Sequence, residues 1–196
     1  MNQTVILGAI LAVFVMSSLM MSPAVAASVH EFSAIALSFT DEFKVRISAT
    51  TDIPQDSNDA SYGYGVITEE AFFDTILVTT THGGFLESAD QHNSDDARWH
   101  NHYLTLTDDG LDNECAGLEV ADISYDSPGD VRIHGENIVF DGARTLESVN
   151  PFTGAENVFQ SGETIVAIIS FDIAPVFTDG EITNICIDVN GLHPIK

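Results

Sequence analysis

Four of the chain's seven histidines, His82, His92, His100 and His102, fall within residues 75–107, beside Glu87, Asp90, Asp95 and Asp96. Neutral imidazole is the commonest protein ligand for zinc and copper(II), and nearby carboxylates either ligate such ions or orient the rings. His100 and His102 are two apart, so on an extended strand both project to one side, close enough to hold one ion. His82 ends the preceding apolar run TILVTTTH and joins them if the two segments pair as a long hairpin. His92, between them, is placed to close over the top. The candidate copper or zinc ligands are therefore His82, His92, His100, His102, Glu87 and Asp90.

A second acidic cluster, Asp108, Asp109, Asp112 and Glu114, makes a tight turn just before Cys115 and offers oxygen ligands suited to calcium. Asp56, Asn58 and Asp59 lie in another polar loop but miss the EF-hand spacing. Other signatures fail on inspection. His30-Glu31 lacks the second histidine of HExxH, no GxSxG occurs, and Gly63-Tyr64-Gly65 does not complete GxGxxG. Every methionine lies at position 1, 16, 20 or 21, which removes the thioether ligand of blue-copper sites from the rest of the chain.

Thirty acidic residues against six basic ones leave a formal charge of −24. Such a field repels nucleic-acid phosphates and anionic membrane surfaces, excluding both as main partners. Metal ions, cell-envelope components or further copies of the chain remain.

The N-terminal segment, residues 1–27, contains no Asp, Glu, Lys or Arg, runs apolar from Val5 to Val15 and ends in Ala24-Val25-Ala26-Ala27. This is the pattern of a secretory signal helix with an A-x-A cleavage site. A membrane-spanning helix needs about 20 apolar residues, and Ser17-Ser18 and Ser22-Pro23 interrupt this one. The missing basic n-region leaves a retained anchor as the alternative. Residues 28–196 then form a single domain, secreted or held at the cell surface. In that oxidising setting the only two cysteines, Cys115 and Cys186, form a disulfide. A pair of thiolate ligands is the other reading.

The elements that must position these groups read as β throughout, with no sustained 3.6-residue period. Residues 32–39 and 43–47 make a hairpin, residues 51–65 a surface loop, and residues 66–71 a helical turn. A strand follows over 72–80. The next, starting at His100, puts His100, His102, Leu104 and Leu106 on one side. Residues 118–125 change phase between Val120 and Ile123, which indicates a bulge. Residues 131–140 form a tight hairpin, residues 141–163 a loop. Residues 165–173, apolar on both sides, belong in a sheet's centre, and residues 182–189 are the last strand. About nine strands with little helix predict an all-β, antiparallel β-sandwich of immunoglobulin-like or jelly-roll type.

The segments LVTTTHGGFLESADQ and WHNHYLTL, the acidic turn with its cysteine, ISYDSPGDVRI, and VAIISFDIAPVF followed by ICIDV span roughly residues 76–189. Together they resemble a group of small exported, acidic, β-rich proteins of ammonia-oxidising archaea. The resemblance implies an extracytoplasmic location and a histidine-bearing segment, and it carries over no catalytic residue.

The expected function is a secreted module that binds copper or zinc through the histidine cluster. A structural envelope, fibre or adhesion subunit without a transition metal is the alternative. A metal-dependent enzyme, needing an open coordination position and a cleft, is the third reading.

Overall fold

A computed structural model describes residues 29–57, 60–69, 75–107, 115 and 117–196. These residues form twelve strands: β1 (Phe32–Ser38), β2 (Glu42–Ala49), β3 (Tyr62–Thr68), β4 (Ile76–Thr81), β5 (His100–Thr107), β6 (Leu118–Ile123), β7 (Val131–His134), β8 (Asn137–Ala143), β9 (Thr145–Val149), β10 (Glu156–Gln160), β11 (Ile165–Thr178) and β12 (Glu181–Pro194). The all-β expectation and the antiparallel pairing hold. The expected β-sandwich of about nine strands is corrected to a closed six-stranded barrel in the order β11-β12-β6-β5-β4-β3, with a four-stranded sheet, β1-β2-β8-β7, and a two-stranded sheet, β10-β9.

Closure depends on β11, which pairs with β12 along one edge and with β3 along the other. Its apolar residues on both faces follow from that position. Alternation along the barrel strands then sorts side chains into two cores. Ile76 and Val78 of β4, Leu104 and Leu106 of β5, and Ile169 and Phe171 of β11 fill the lumen. Their neighbours Leu77, Tyr103 and Ile168 point outward, where the four-stranded sheet covers them with Phe43, Val45, Ile47 and Phe140. Each such side chain taken out of water stabilises by about 1.5–3 kcal/mol. Because β3 and β4 are covered on both faces, every residue in them is buried.

Strand β3 shows how the sequence meets this geometry. Tyr62, Tyr64 and Val66 face the outer core, whereas Gly63, Gly65 and Ile67 face the lumen. A Cβ at Gly63 would stand 2.8 Å from the Phe171 ring and 2.6 Å from the Thr79 carbonyl oxygen. The absent side chain is what lets Phe171 occupy the lumen. The loop expected over residues 51–65 is corrected here: its glycines and polar residues read as turn signals, yet Tyr62–Gly65 belong to a central strand. The helical turn expected over 66–71 gives way to strand through Thr68, and residues 70–74 lie outside the described residues.

The loop expected over 141–163 holds the end of β8 and the β9–β10 pair, whose half-buried Leu146 and buried Phe159 alternate over too few residues to stand out. Other expectations hold. β1 and β2 pair as a hairpin, β7 and β8 pair across Gly135-Glu136, and the register of β5 on β6 shifts opposite Ala121, the expected bulge. Asp179-Gly180, both at positive φ (56° and 88°), makes the two-residue turn between β11 and β12. Cys115 and Cys186 are joined as a disulfide. Both are half-buried and belong to neither apolar core. The N-terminal signal segment and the calcium candidates Asp108, Asp109, Asp112 and Glu114 lie outside the described residues.

Candidate metal centre

The register of β4 on β5 sets Thr80 opposite His100 and Val78 opposite His102, all facing the lumen at the end of the barrel where β4 leaves and β5 enters. His82 follows β4 directly. Residues 82–99 fold back over this end. Two bonds pin them there, from Thr81 Oγ1 to the Ala97 carbonyl (2.6 Å) and from Ala89 N to the Tyr125 carbonyl (2.9 Å), and Gly84 N closes the loop on itself at the Ser94 carbonyl (2.7 Å). Trp99 anchors the return through its indole N–H to the Pro54 carbonyl at 2.8 Å.

The loop delivers Glu87 to the histidines. Nε2 of His100 lies 3.0 Å and Nε2 of His102 lies 3.2 Å from the same oxygen, Oε1 of Glu87, and Nε2 of His82 contacts that oxygen too. The rings of His82 and His100 are 5.0 Å apart, those of His100 and His102 4.8 Å. The ligand atoms of His82, Glu87 and His100 all lie within 4.8 Å of one another, the separation needed to share one ion. Exposure is 1% for each of the three histidines and 2% for Glu87, so water does not screen the group.

The tautomers follow from what lies behind each ring. His100 donates Nδ1–H to the carbonyl of Arg98 at 2.7 Å, and His102 donates Nδ1–H to the carbonyl of Ser124 at 2.7 Å. A carbonyl only accepts, so in the neutral rings Nε2 carries the lone pair and turns it toward Glu87. Burial, the largest influence, pushes the His102 imidazole below its ordinary value, against the opposing pull of the Glu87 carboxylate. Glu87 is held well below the usual carboxylate range. Burial pushes it up, but the charge of His82 and the hydrogen bonds of the three imidazoles outweigh that push.

Each Nε2 that carries a proton donates to the ionised Glu87 oxygen, and each that does not offers a lone pair to a cation. A single divalent cation would find the ligand atoms of His82, Glu87 and His100 already within 4.8 Å of one another, with the His102 ring 4.8 Å from that of His100. His82 adds an unpartnered buried Nδ1 and stacks on Phe85 with centroids 4.3 Å apart. Imidazole held from behind by backbone carbonyls is the arrangement that orients metal ligands. Three nitrogens and one carboxylate suit zinc or copper(II); the imidazoles do not suit calcium.

Of the six candidate ligands, the structure brings together His82, Glu87, His100 and His102. Asp90 and His92 stay on the exposed side of the loop. The Asp90 carbonyl accepts from Arg98 at 3.0 Å, and Nδ1 of His92 lies 3.1 Å from Asp96. Asp96, held low by Arg98, closes this surface network with it, and the Asn93 side-chain oxygen accepts from Asp95 N at 2.9 Å in a local turn. Glu87 is the residue that reaches inward, because buried Gln91 braces it: Gln91 accepts from Glu87 N (3.1 Å) and donates to the Asp96 carbonyl (3.0 Å). Gln91 and Thr80, whose Oγ1 lies 3.4 Å from Nε2 of His100, escaped the sequence reading. Two-residue parity with Val78 and His82 was the available signal for Thr80; for Gln91 there was none.

Beneath the group the lumen keeps a void of about 20 Å³, bordered by Thr80, His82, Glu87 and His102 and by apolar Val78, Leu104 and Phe171. It has room for about one water molecule. A wider open groove of about 660 Å³ surrounds Arg144. That guanidinium donates to the carbonyls of Phe39 (2.7 Å), Gly162 (2.6 Å) and Glu163 (2.6 Å), so it ties loops together and has little left for an anion.

The chain matches no family model, no curated protein and no solved structure.

Proposed function

We propose that the protein is an extracytoplasmic metal-binding module that holds one zinc or copper(II) ion between His82, Glu87, His100 and His102. The observation that carries this reading is the convergence of three imidazole Nε2 atoms on one ionised carboxylate oxygen in a buried site. Two of the rings already spend Nδ1–H on backbone carbonyls. The enclosure of the ligand atoms suits retention of an ion rather than turnover of an external substrate. The extracytoplasmic location is supported by the disulfide, which persists in oxidising compartments, and by the signal-like N-terminal sequence. The resemblance of residues 76–189 to exported archaeal proteins is part of the same reading.

The test is the metal content of protein expressed from the full-length chain, measured by mass spectrometry after dialysis, beside a His100→Ala/His102→Ala variant. About one equivalent of zinc or copper, lost in the variant, is the expected result. Absence of a bound transition metal after reconstitution with zinc and with copper(II) overturns the proposal.

A further inference from the structure

A chain with thirty acidic and six basic residues repels its own copies over most of its surface. The outer face of the four-stranded sheet departs from that balance. Alternation along β2, β8 and β7 turns Phe43, Val45, Ile47, Ile138 and Phe140 into the core and leaves Lys44, Arg46, Val139 and Arg132 outside. Half of the basic residues, Lys44, Arg46 and Arg132, therefore stand on one face, matched there by Glu42, Asp130 and Asp141.

The register gives this face a pattern. Ile35 pairs with Arg46, Arg46 with Val139, and Val139 with Arg132, so aliphatic and guanidinium groups alternate across all four strands. Ile35 is 67% exposed, Leu37 54% and Val139 38%. Lys44 reaches Glu42 at 3.0 Å and Arg132 reaches Asp130 at 3.6 Å. Arg46 bonds to the Asn137 amide oxygen at 2.9 Å and makes no ion pair among the described residues.

We propose that this face is a two-fold interface between two copies of the chain, in which Ile35, Leu37 and Val139 pack across the axis and each Arg46 meets a carboxylate of the opposite face. A surface carrying equal numbers of both charges around an aliphatic centre complements itself under a two-fold rotation. It is also a place where two strongly acidic copies approach without like-charge contact. Strands about 4.8 Å apart and about 24 Å long give a face on which a pair buries roughly 1,000 Å², the lower end of specific interfaces. An anionic membrane fits less well, because a charge-balanced face does nothing to offset the repulsion from the rest of the chain. The repulsion between the two acidic copies outweighs the few ion pairs at the contact, whose centre is aliphatic, so added salt strengthens the dimer.

The test is sedimentation analysis of protein expressed from the full-length chain over about 1–500 µM, at about 0.05 M and about 0.5 M salt. The expected result is a dimer that tightens with salt. Ile35→Glu and Arg46→Glu each weaken it at least about tenfold. Val158→Glu, at a side chain 65% exposed on β10, leaves it unchanged. Thermal melts of all three variants should follow the parent, since these side chains lie on the surface. A monomer across the whole range at high salt overturns the proposal, as does a dimer indifferent to Ile35→Glu. Monomeric protein that binds anionic vesicles, with binding lost in Ile35→Glu, also overturns it and reassigns the face to a lipid surface.

Discussion

His102 presents Nε2 to Oε1 of Glu87 at 3.2 Å while its Nδ1–H is already committed to the Ser124 carbonyl at 2.7 Å. The ring faces an ionised oxygen in a buried site, as a hydrogen-bond donor when Nε2 is protonated and as a metal ligand when it is not. Glu87→Gln replaces that oxygen by an amide able to donate to an imidazole nitrogen, and removes a buried charge. The metal-free variant should lose about 1–3 kcal/mol of stability, because the lowered Glu87 value means that the fold favours the ionised carboxylate. Its metal affinity should fall about 10–100-fold. Chemical denaturation and metal titration measure the two effects. Unchanged or increased metal-free stability would contradict the stabilising role of the ionised carboxylate.

The metal-free protein should lose stability progressively as the solution is acidified. Burial keeps His102 below its ordinary value of 6.5, so the unfolded chain binds more protons there than the fold does. Stability from this group is present above about 6.5 and is lost as pH falls from there toward the folded value. Glu87, held below its ordinary 4.5, adds a second loss as pH falls below that value toward its own lower one. Both act in the same direction, so melting temperature should decline between neutrality and acid in two stages. Bound metal should delay the first stage, because protons must displace it from the ring. Calorimetry with and without metal tests this, and a melting temperature flat from pH 7 to about 5 would contradict it.

Gly63→Ala should weaken both the fold and the site. The new methyl would meet the Thr79 carbonyl oxygen at 2.6 Å, the Phe171 ring at 2.8 Å and the Thr80 methyl at 2.8 Å. Overpacking of this kind costs about 1–3 kcal/mol. Thr80 touches His100, so displacement of its side chain should also reduce metal affinity. Denaturation and metal titration of the variant separate the two consequences.

Reduction of Cys115–Cys186, which closes a 71-residue span, should cost about 4 kcal/mol by the loop-entropy relation. Metal content should not change at temperatures where the reduced protein stays folded, because neither sulfur belongs to the ligand group. Loss of metal from folded Cys115→Ser/Cys186→Ser protein would show that the span positions the loop over the barrel end.

Much of the fold was legible because β alternation is a local signal. The hairpins β1–β2 and β7–β8, the bulge in β6 and the central place of β11 all follow from a two-residue period read within a few positions. What misled was chemistry with two meanings. Gly63 and Gly65 look like turn residues, yet they are the spaces in the lumen that Phe171 and Ile169 need. Strands β9 and β10 were too short for alternation to register.

The sequence by itself determined that His100 and His102 share one face of a strand, since that is a property of backbone geometry alone. It also determined the strongly acidic charge, and it left the two cysteines only each other as disulfide partners. Only the tertiary structure decided that β11 joins β3 to close a barrel, that His82 meets the H-x-H pair at its end, and that Glu87 rather than Asp90 or His92 turns inward. The reason is that loop direction depends on contacts distant in sequence, here Gln91 on the Glu87 backbone and Ala89 on Tyr125, which no local period encodes.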